Sequence, residues 1–154
     1  MNILNMINTD IINLNLEANN KIDAIKEIAI MLDKKNRLND FNKFIEDVLK
    51  REAIESTNMD IGVAIPHSNT PYIKQTSIGI GRMKDPIDWE DGGDPVRTIF
   101  LFAVSSEEEG ITHLDIIAKT AVILIDDDFI AFLQTTTSSK DLLEKINELI
   151  GDQS

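Results

Sequence analysis

Apolar and polar positions follow two distinct periods along this chain, and each period predicts a different element. Within residues 10–17, apolar and polar positions alternate at Ile12, Leu14 and Leu16, which is the pattern of a half-buried strand. Residues 76–83 and 96–104 are also predicted as strands, and the second is apolar almost throughout, as in a central strand covered on both faces. A fourth, shorter apolar run at 63–65 indicates one more buried strand.

Five other segments show the helical recurrence of apolar residues every three to four positions. The first is predicted over about 21–35, and the third from 112 to about 125. Turn-forming residues at 85–89 and 91–95 predict loops. The predicted helix caps are Asn20, Asp40, Thr112, the aspartates of 126–128 and Ser138. Because helices and strands interleave, an α/β fold with a sheet covered on both faces is expected.

Length and composition fit one domain over 1–154, since 42% of the 154 residues are hydrophobic and 27% are charged. No apolar run approaches the roughly 18 residues of a membrane span, and a secretion signal is not evident at the N-terminus. The lack of cysteine excludes disulfides and is typical of a reducing compartment, so a cytoplasmic location is expected. A net charge of −12 argues against binding to nucleic acid.

The residues before His67 make it the strongest functional candidate. The apolar run 63–65 leads into Pro66, which lacks a backbone donor and restricts the residue before it. Strand pairing is therefore expected to stop there, leaving His67 at the end of a stiff strand. An imidazole suits nucleophilic chemistry at cellular pH, because its ordinary pKa is about 6.5. The alternative for a single histidine is a structural role as a strand cap.

Other residues have the chemistry of an anion site. His113 follows the predicted cap Thr112, which places it in the first turn of a helix, where free N–H groups attract anions. Arg51 ends a helix just before the hydroxyls of Ser56 and Thr57, and its guanidinium suits a phosphate. The alternatives are an exposed histidine without a function and an arginine that only complements the helix dipole.

Other site chemistries fit the sequence less well. Zinc would need carboxylates beside the two histidines, and no zinc-ligand spacing occurs. The GxSxG turn of Ser-His-Asp hydrolases is absent. Gly79 and Gly81 form half of a dinucleotide fingerprint, but Lys84 replaces its third glycine, which favours a closely packed strand. The residues therefore predict a phosphoryl-handling site without a metal or organic cofactor.

Six segments, read in order, form one pattern. They are Arg51-Glu52, Ser56-Thr57, Gly62 to His67, Arg82 to Trp89, residues 96–104, and His113 to Lys119. The pattern resembles the fructose/mannitol-type (type 2) enzyme IIA domains of the bacterial phosphoenolpyruvate-dependent sugar phosphotransferase system. The resemblance covers nearly the whole chain.

This resemblance implies a role for three residues. His67 would be phosphorylated, His113 would hydrogen-bond the phosphoryl group, and Arg51 would be a supporting cation. The implied fold is a single α/β domain with a mixed β-sheet sandwiched between helices. The implied partners are the histidine phosphocarrier protein as donor and a sugar-specific enzyme IIB as acceptor, with no direct membrane insertion.

Two residues depart from the family pattern. Asp60 stands where Gly or Ala is usual, and Ser68 replaces the usual small residue after the histidine. A carboxylate near His67 would oppose an incoming phosphoryl group, whereas Ser68, like Ser56 and Thr57, is a candidate phosphate-binding hydroxyl. Alternatively, Asp60 points to solvent and caps a turn.

Three functions remain open from the sequence. The leading hypothesis is a phosphocarrier for sugar uptake, which the pair Asp88-Trp89 favours. The second is a nitrogen-type regulator whose binding to a transporter, kinase or transcription factor depends on phosphorylation. The third is an interaction module with a vestigial site, which Asp60 and Ser68 keep open.

Overall fold

The computed structural model describes the backbone of residues 3–108 and 113–151, and the side chains of 5–108 and 114–151. Two short 3₁₀ helices, Ile3–Met6 and Thr9–Ile11, come first. The described strands are β1 (Ile12–Leu16), β2 (Val63–Ala64), β3 (His67–Thr70), β4 (Ser77–Ile87) and β5 (Val96–Ser105). The described α-helices are α1 (Lys21–Lys34), α2 (Phe41–Ile54), α3 (His113–Leu124), α4 (Asp127–Thr135) and α5 (Ser139–Gly151).

The strands form one mixed sheet. Its order is β1-β4-β5-β2, and β3 also pairs with β5. Strands β4 and β5 are antiparallel, whereas β1 pairs with β4, and β2 and β3 with β5, in parallel. The expected mixed sheet is confirmed.

Strands β2 and β3 are two pieces of one strand alongside β5. Val63 lies opposite Thr98 and His67 opposite Phe102, so the register is the same on both sides of the interruption. Pro66 still accepts a hydrogen bond from the Phe102 N–H at 2.9 Å. The prediction that pairing stops at Pro66 is therefore wrong. Pro66 has no N–H to donate to the ladder, but its carbonyl still pairs with β5, and His67 opens the second piece.

Alternate side chains of β5 enter two separate apolar clusters. Leu101 and Ala103 pack with residues of α1 and α2, such as Ile28. Phe100 and Phe102 pack against α3, α4 and α5 on the other face. Both faces of β5 are buried, which confirms the prediction of a central strand in a sheet sandwiched between helices.

Most predicted helix caps are present. Asn20, Asp40 and Ser138 each accept a hydrogen bond from the backbone N–H three residues on, at 2.9 to 3.1 Å. Asp126 caps α4 in a similar way, and Thr112 lies outside the described residues. No described helix has both the length and the apolar content needed to cross a bilayer.

Strand β4 departs from the sequence prediction at its far end. It continues through Pro86 to Ile87, where a loop was expected, and its register with β5 shifts after Arg82. Gly79 and Gly81 lie in its first half, as predicted for a closely packed strand. A Cβ on Gly79 would lie 2.7 Å from Cγ2 of Ile28, so only glycine lets α1 approach the sheet this closely.

Candidate active site

His67 opens onto a cavity of about 400 Å³ between the end of α2 and the interrupted strand. Its lining brings together four residues that the sequence singled out, in the order Arg51, Ser56, Thr57 and His67, along with Ile54, Glu55 and Ile65. A larger cavity of about 700 Å³ lies beside β4, but no histidine lines it. The smaller cavity is therefore the candidate active site.

The His67 imidazole is half-buried and fixed by its own strand. Its Nδ1 lies 3.3 Å from the carbonyl oxygen of Ile65. Because a carbonyl oxygen only accepts, Nδ1 must carry the hydrogen in this contact. In the neutral ring the lone pair then belongs to Nε2, which is the nucleophilic atom.

Arg51 is held at the edge of the cavity by an acid that the sequence analysis missed. Its Nε donates to Oδ2 of Asp47 at 3.0 Å, and the Arg51 side chain is 38% exposed. Asp47 precedes Arg51 by four residues, the spacing that makes neighbours on a helix, and this spacing was the signal for the pair. The contact fixes one edge of the guanidinium while most of its N–H groups remain to meet an anion.

A buried carboxylate organises the far wall of the cavity. Glu52 is 5% exposed. Its Oε1 accepts from the Thr57 N–H at 2.8 Å and from Nε1 of Trp89 at 2.7 Å, and its Oε2 accepts from the Thr57 hydroxyl at 2.7 Å. Two of these bonds tie α2 to Thr57, in the loop that precedes β2, and the third ties α2 to Trp89. Local sequence did not indicate the bond to Trp89, because Trp89 and Glu52 are 37 residues apart in the chain.

The three candidate phosphate-binding hydroxyls share one feature: each donates its single hydrogen to a carboxylate. Ser56 donates to Glu90 at 2.8 Å, and Thr57 donates to Glu52. Ser68 is fully buried and donates to Asp47 at 2.6 Å, and it does not line the cavity. As folded, the structure does not supply these hydroxyls as donors to a phosphoryl group, because each would have to abandon a charge-assisted bond.

Asp60 lies in a turn rather than in the cavity. It is exposed, has a φ of 57° and accepts a hydrogen bond from the Asp94 N–H at 3.0 Å. The exposure agrees with the alternative in which Asp60 points to solvent, but its carboxylate bonds a distant loop at Asp94 rather than capping its own turn. The carboxylate that does line the cavity is Glu55. Asp60 and Ser68 therefore give no support to a vestigial site.

His113 is the first residue of α3, in agreement with its predicted place in a helical first turn. Its side chain lies outside the described residues, so its role stays a prediction. Within the described part of the chain, no group of three or more His, Asp or Glu side chains could hold a metal ion.

Sequence comparison identifies related proteins. The chain matches the family "Phosphoenolpyruvate-dependent sugar phosphotransferase system, EIIA 2" over residues 5–149. It is 32% identical over 149 residues to the fructose-specific EIIABC component of the phosphotransferase system of Bacillus subtilis (strain 168). That alignment covers 96% of this chain and 23% of the relative, so the chain spans less than a quarter of that protein.

Solved structures show the same fold. The nitrogen regulatory protein IIA-Ntr from Neisseria meningitidis has a TM-score of 0.83 and 26% identity, covering 94% of this chain and 98% of that one. Enzyme IIA-mannitol of Escherichia coli, solved in complex with phosphorylated enzyme IIB-mannitol, has a TM-score of 0.76 and 21% identity, covering 95% and 97%. Because the family model spans nearly the whole chain, this protein belongs to the EIIA type 2 family of the phosphoenolpyruvate-dependent sugar phosphotransferase system.

Proposed function

We propose that this protein carries a phosphoryl group on His67 between two partner proteins in the cytoplasm. The donor is the phosphohistidine of the histidine phosphocarrier protein, and the acceptor is an enzyme IIB that serves sugar uptake. The single observation that carries the proposal is the hydrogen bond from Nδ1 of His67 to the Ile65 carbonyl. It directs the lone pair to Nε2, on a residue that shares a cavity with Arg51.

The transfer balances without a separate base. The bond between phosphorus and the donor's ring nitrogen breaks as a bond from phosphorus to Nε2 of His67 forms. The Nδ1 hydrogen stays on His67 and keeps its bond to Ile65, so the phosphorylated ring is cationic and offsets the charge of the phosphoryl group. The donor ring, which carried its own N–H, leaves neutral. In the second transfer a nucleophile of enzyme IIB bonds to phosphorus as the phosphorus–Nε2 bond breaks, and His67 leaves as a neutral ring that keeps its Nδ1 hydrogen.

Arg51 and His113 are assigned supporting roles. Phosphoryl transfer spreads charge over three equatorial oxygens, and preorganised donors aimed at that charge lower the barrier. Arg51 lines the cavity with its Nε already fixed by Asp47, so its remaining N–H groups are positioned for those oxygens. His113 would add a second imidazole from the start of α3. No metal or organic cofactor takes part.

The proposal is tested by incubating the protein with phosphoenolpyruvate, enzyme I and the histidine phosphocarrier protein and measuring its intact mass. The wild type should gain one phosphoryl group, and fragmentation should place that group on His67. His67→Ala should gain none, while Lys50→Gln, an exposed change beside the cavity, should be phosphorylated normally. A phosphoryl group that persists in His67→Ala, or no gain in the wild type, would overturn the proposal.

A second function is favoured by the similarity to the nitrogen regulatory protein IIA-Ntr of Neisseria meningitidis. In that case the phosphorylated state of His67 would control binding to a transporter, kinase or transcription factor. Mixing the phosphorylated protein with purified enzyme IIB separates the two. Loss of the phosphoryl group from His67 with its appearance on enzyme IIB supports transport, and full retention supports regulation.

A further inference from the structure

A second, smaller cavity has a cationic lining. It measures about 280 Å³ and lies where β1, β4 and β5 meet, at the end of the sheet away from His67. Arg82, Lys84 and Arg97 line it, with Asn15 and Glu17. None of these residues lines the His67 cavity. In a chain with a net charge of −12, three clustered cations require an explanation.

Arg82 is the unusual member of this cluster. It is only 6% exposed, and its Nε is buried without a hydrogen-bond partner. Its one protein bond runs from Nη1 to the carbonyl oxygen of Leu133 at 3.0 Å. It has no ion pair with an acid among the described residues. Buried donors are nearly always satisfied in folded proteins, because an unpaired one costs free energy.

The electrostatics around Arg82 favour the binding of an anion. Burial, and then the nearby positive charge of Arg97, lower the pKa of Arg82 from its ordinary value. Both effects oppose the charged form, and both would be offset by an anion between the two guanidinium groups. A buried charge of this kind is normally retained only where a partner compensates it.

A purely structural role explains only part of this arrangement. Arg82 and Arg97 both donate to carbonyls of the last turn of α4, at Leu133 and Gln134, which is a usual use of cations at a helix C-terminus. Arg97 also donates from Nε to the Met83 carbonyl at 3.0 Å. These bonds fix both guanidinium groups but leave Nε of Arg82 unused. The contacts with α4 therefore leave a buried charged donor unexplained.

The strands around the cavity are irregular at this point. The register of β1 against β4 shifts between Asn13 and Leu16, and that of β4 against β5 shifts after Arg82. Such bulges re-aim side chains and are frequent next to binding sites. The carboxylate facing the cavity is the exposed Glu17, and Asp85 and Asp88 line the larger cavity on the other side of Lys84.

We propose that the cavity formed by Arg82, Lys84 and Arg97 binds the phosphate group of a small ligand. Two fixed guanidinium groups and a flexible ammonium match the several oxygens and the double charge of a phosphate monoester. The cavity is at the small end of ligand sites, so it suits inorganic phosphate or a small phosphorylated metabolite. This site is independent of phosphorylation at His67.

The test is a titration of the full-length protein, followed by two-dimensional NMR, with inorganic phosphate and separately with a hexose 6-phosphate at constant ionic strength. Saturable shifts are expected at the amides of Asn15, Glu17 and Gln134. Tighter binding of the hexose phosphate identifies a metabolite as the ligand, and equal binding identifies free phosphate. Shifts that rise linearly without saturation, or that are confined to the His67 cavity, would overturn the proposal.

Variants localise the binding. Arg97→Gln and Lys84→Gln should each weaken phosphate affinity, by about tenfold for the arginine, since each removes a charge-assisted hydrogen bond. Lys140→Gln removes an equal charge from exposed α5 and should have no effect, and Arg51→Gln should also leave this affinity unchanged. Lys84 is exposed, so its variant tests the site without risk to the fold. Wild-type affinity in both Lys84→Gln and Arg97→Gln would refute the assignment.

Discussion

The two cavities satisfy their polar groups in opposite ways. Around His67, carboxylates within the protein already occupy the hydroxyls and one edge of the arginine: Asp47 binds Arg51, and Glu52 binds Thr57 and Trp89. Around Arg82, backbone carbonyls hold the cations, and no described acid forms an ion pair with them. In the first cavity the polar groups are paired with one another before any partner arrives, whereas the lining of the second carries an excess of positive charge.

This difference indicates two kinds of site. A residue that receives and then releases a phosphoryl group must not bind it too strongly. Lining side chains that are already hydrogen-bonded within the protein meet this requirement, because they have few donors left for the phosphoryl oxygens. In contrast, an unpaired buried cation is stabilised most by an anion that remains bound. The four predictions that follow test the contrast, from the largest expected effect to the smallest.

Glu52→Ala should lower the free energy of unfolding by roughly 3 kcal/mol or more, because two N–H groups and one hydroxyl lose their acceptor inside the protein. Urea unfolding followed by the fluorescence of Trp89, the one tryptophan of the chain, measures the loss. Glu46→Ala, an exposed change on the same helix, is the control and should be nearly neutral. A decrease in the free energy of unfolding of less than about 1 kcal/mol would show that Glu52 does not stabilise this part of the cavity.

Arg51→Gln should slow phosphorylation of the protein by about 10²-fold, since it removes a preorganised donor from a site of developing charge. Rapid-quench measurement of transfer from the histidine phosphocarrier protein gives the rate. Lys50→Gln removes the same charge one residue earlier and controls for long-range attraction between the partners. If both variants slow transfer equally, Arg51 acts only through net charge.

Arg82→Met should change the free energy of unfolding by no more than about 1 kcal/mol, because removing an uncompensated buried charge offsets the lost bond to Leu133. The same urea titration used for Glu52→Ala measures it in phosphate-free buffer. A loss as large as that of Glu52→Ala would break the comparison, since Arg82 would then be a structural anchor like the carboxylate.

Glu55→Gln should speed phosphorylation about threefold at low salt, because it removes a negative charge from the cavity that receives the phosphoryl group. Asp60→Gly should leave the rate unchanged, since glycine accepts the φ of 57° and the carboxylate lies in a turn. Stopped-flow transfer at two salt concentrations compares them. A faster Asp60→Gly protein would restore the electrostatic role that the sequence suggested for Asp60.

Much of the fold follows from local sequence, because amphipathic periods and caps such as Asn20 and Asp40 act over three to four residues. The interrupted strand at Pro66 was not predictable from those signals. Its pairing depends on β5, and a proline in isolation indicates the end of a strand. The extension of β4 through Pro86 was missed for the same reason.

The candidate site was only half predictable. His67 and Arg51 were identified by residue type and resemblance, and the structure brings them to one cavity. The partners that fix this cavity come from distant segments: Glu90 bonds Ser56 across 34 positions, and Asp47 bonds Ser68 across 21. The sequence shows that these hydroxyls are present, but only the structure shows that each already donates its hydrogen to a carboxylate.

The fixed register of the interrupted strand has a consequence for the speed of partner encounters. His67 is paired with Phe102 of β5, and Pro66 accepts a hydrogen bond from the same residue, so the backbone that carries the imidazole is tied to a strand buried on both faces. A partner therefore meets this strand at a fixed backbone position, so the rate of productive association depends on orientation rather than on reordering of the strand.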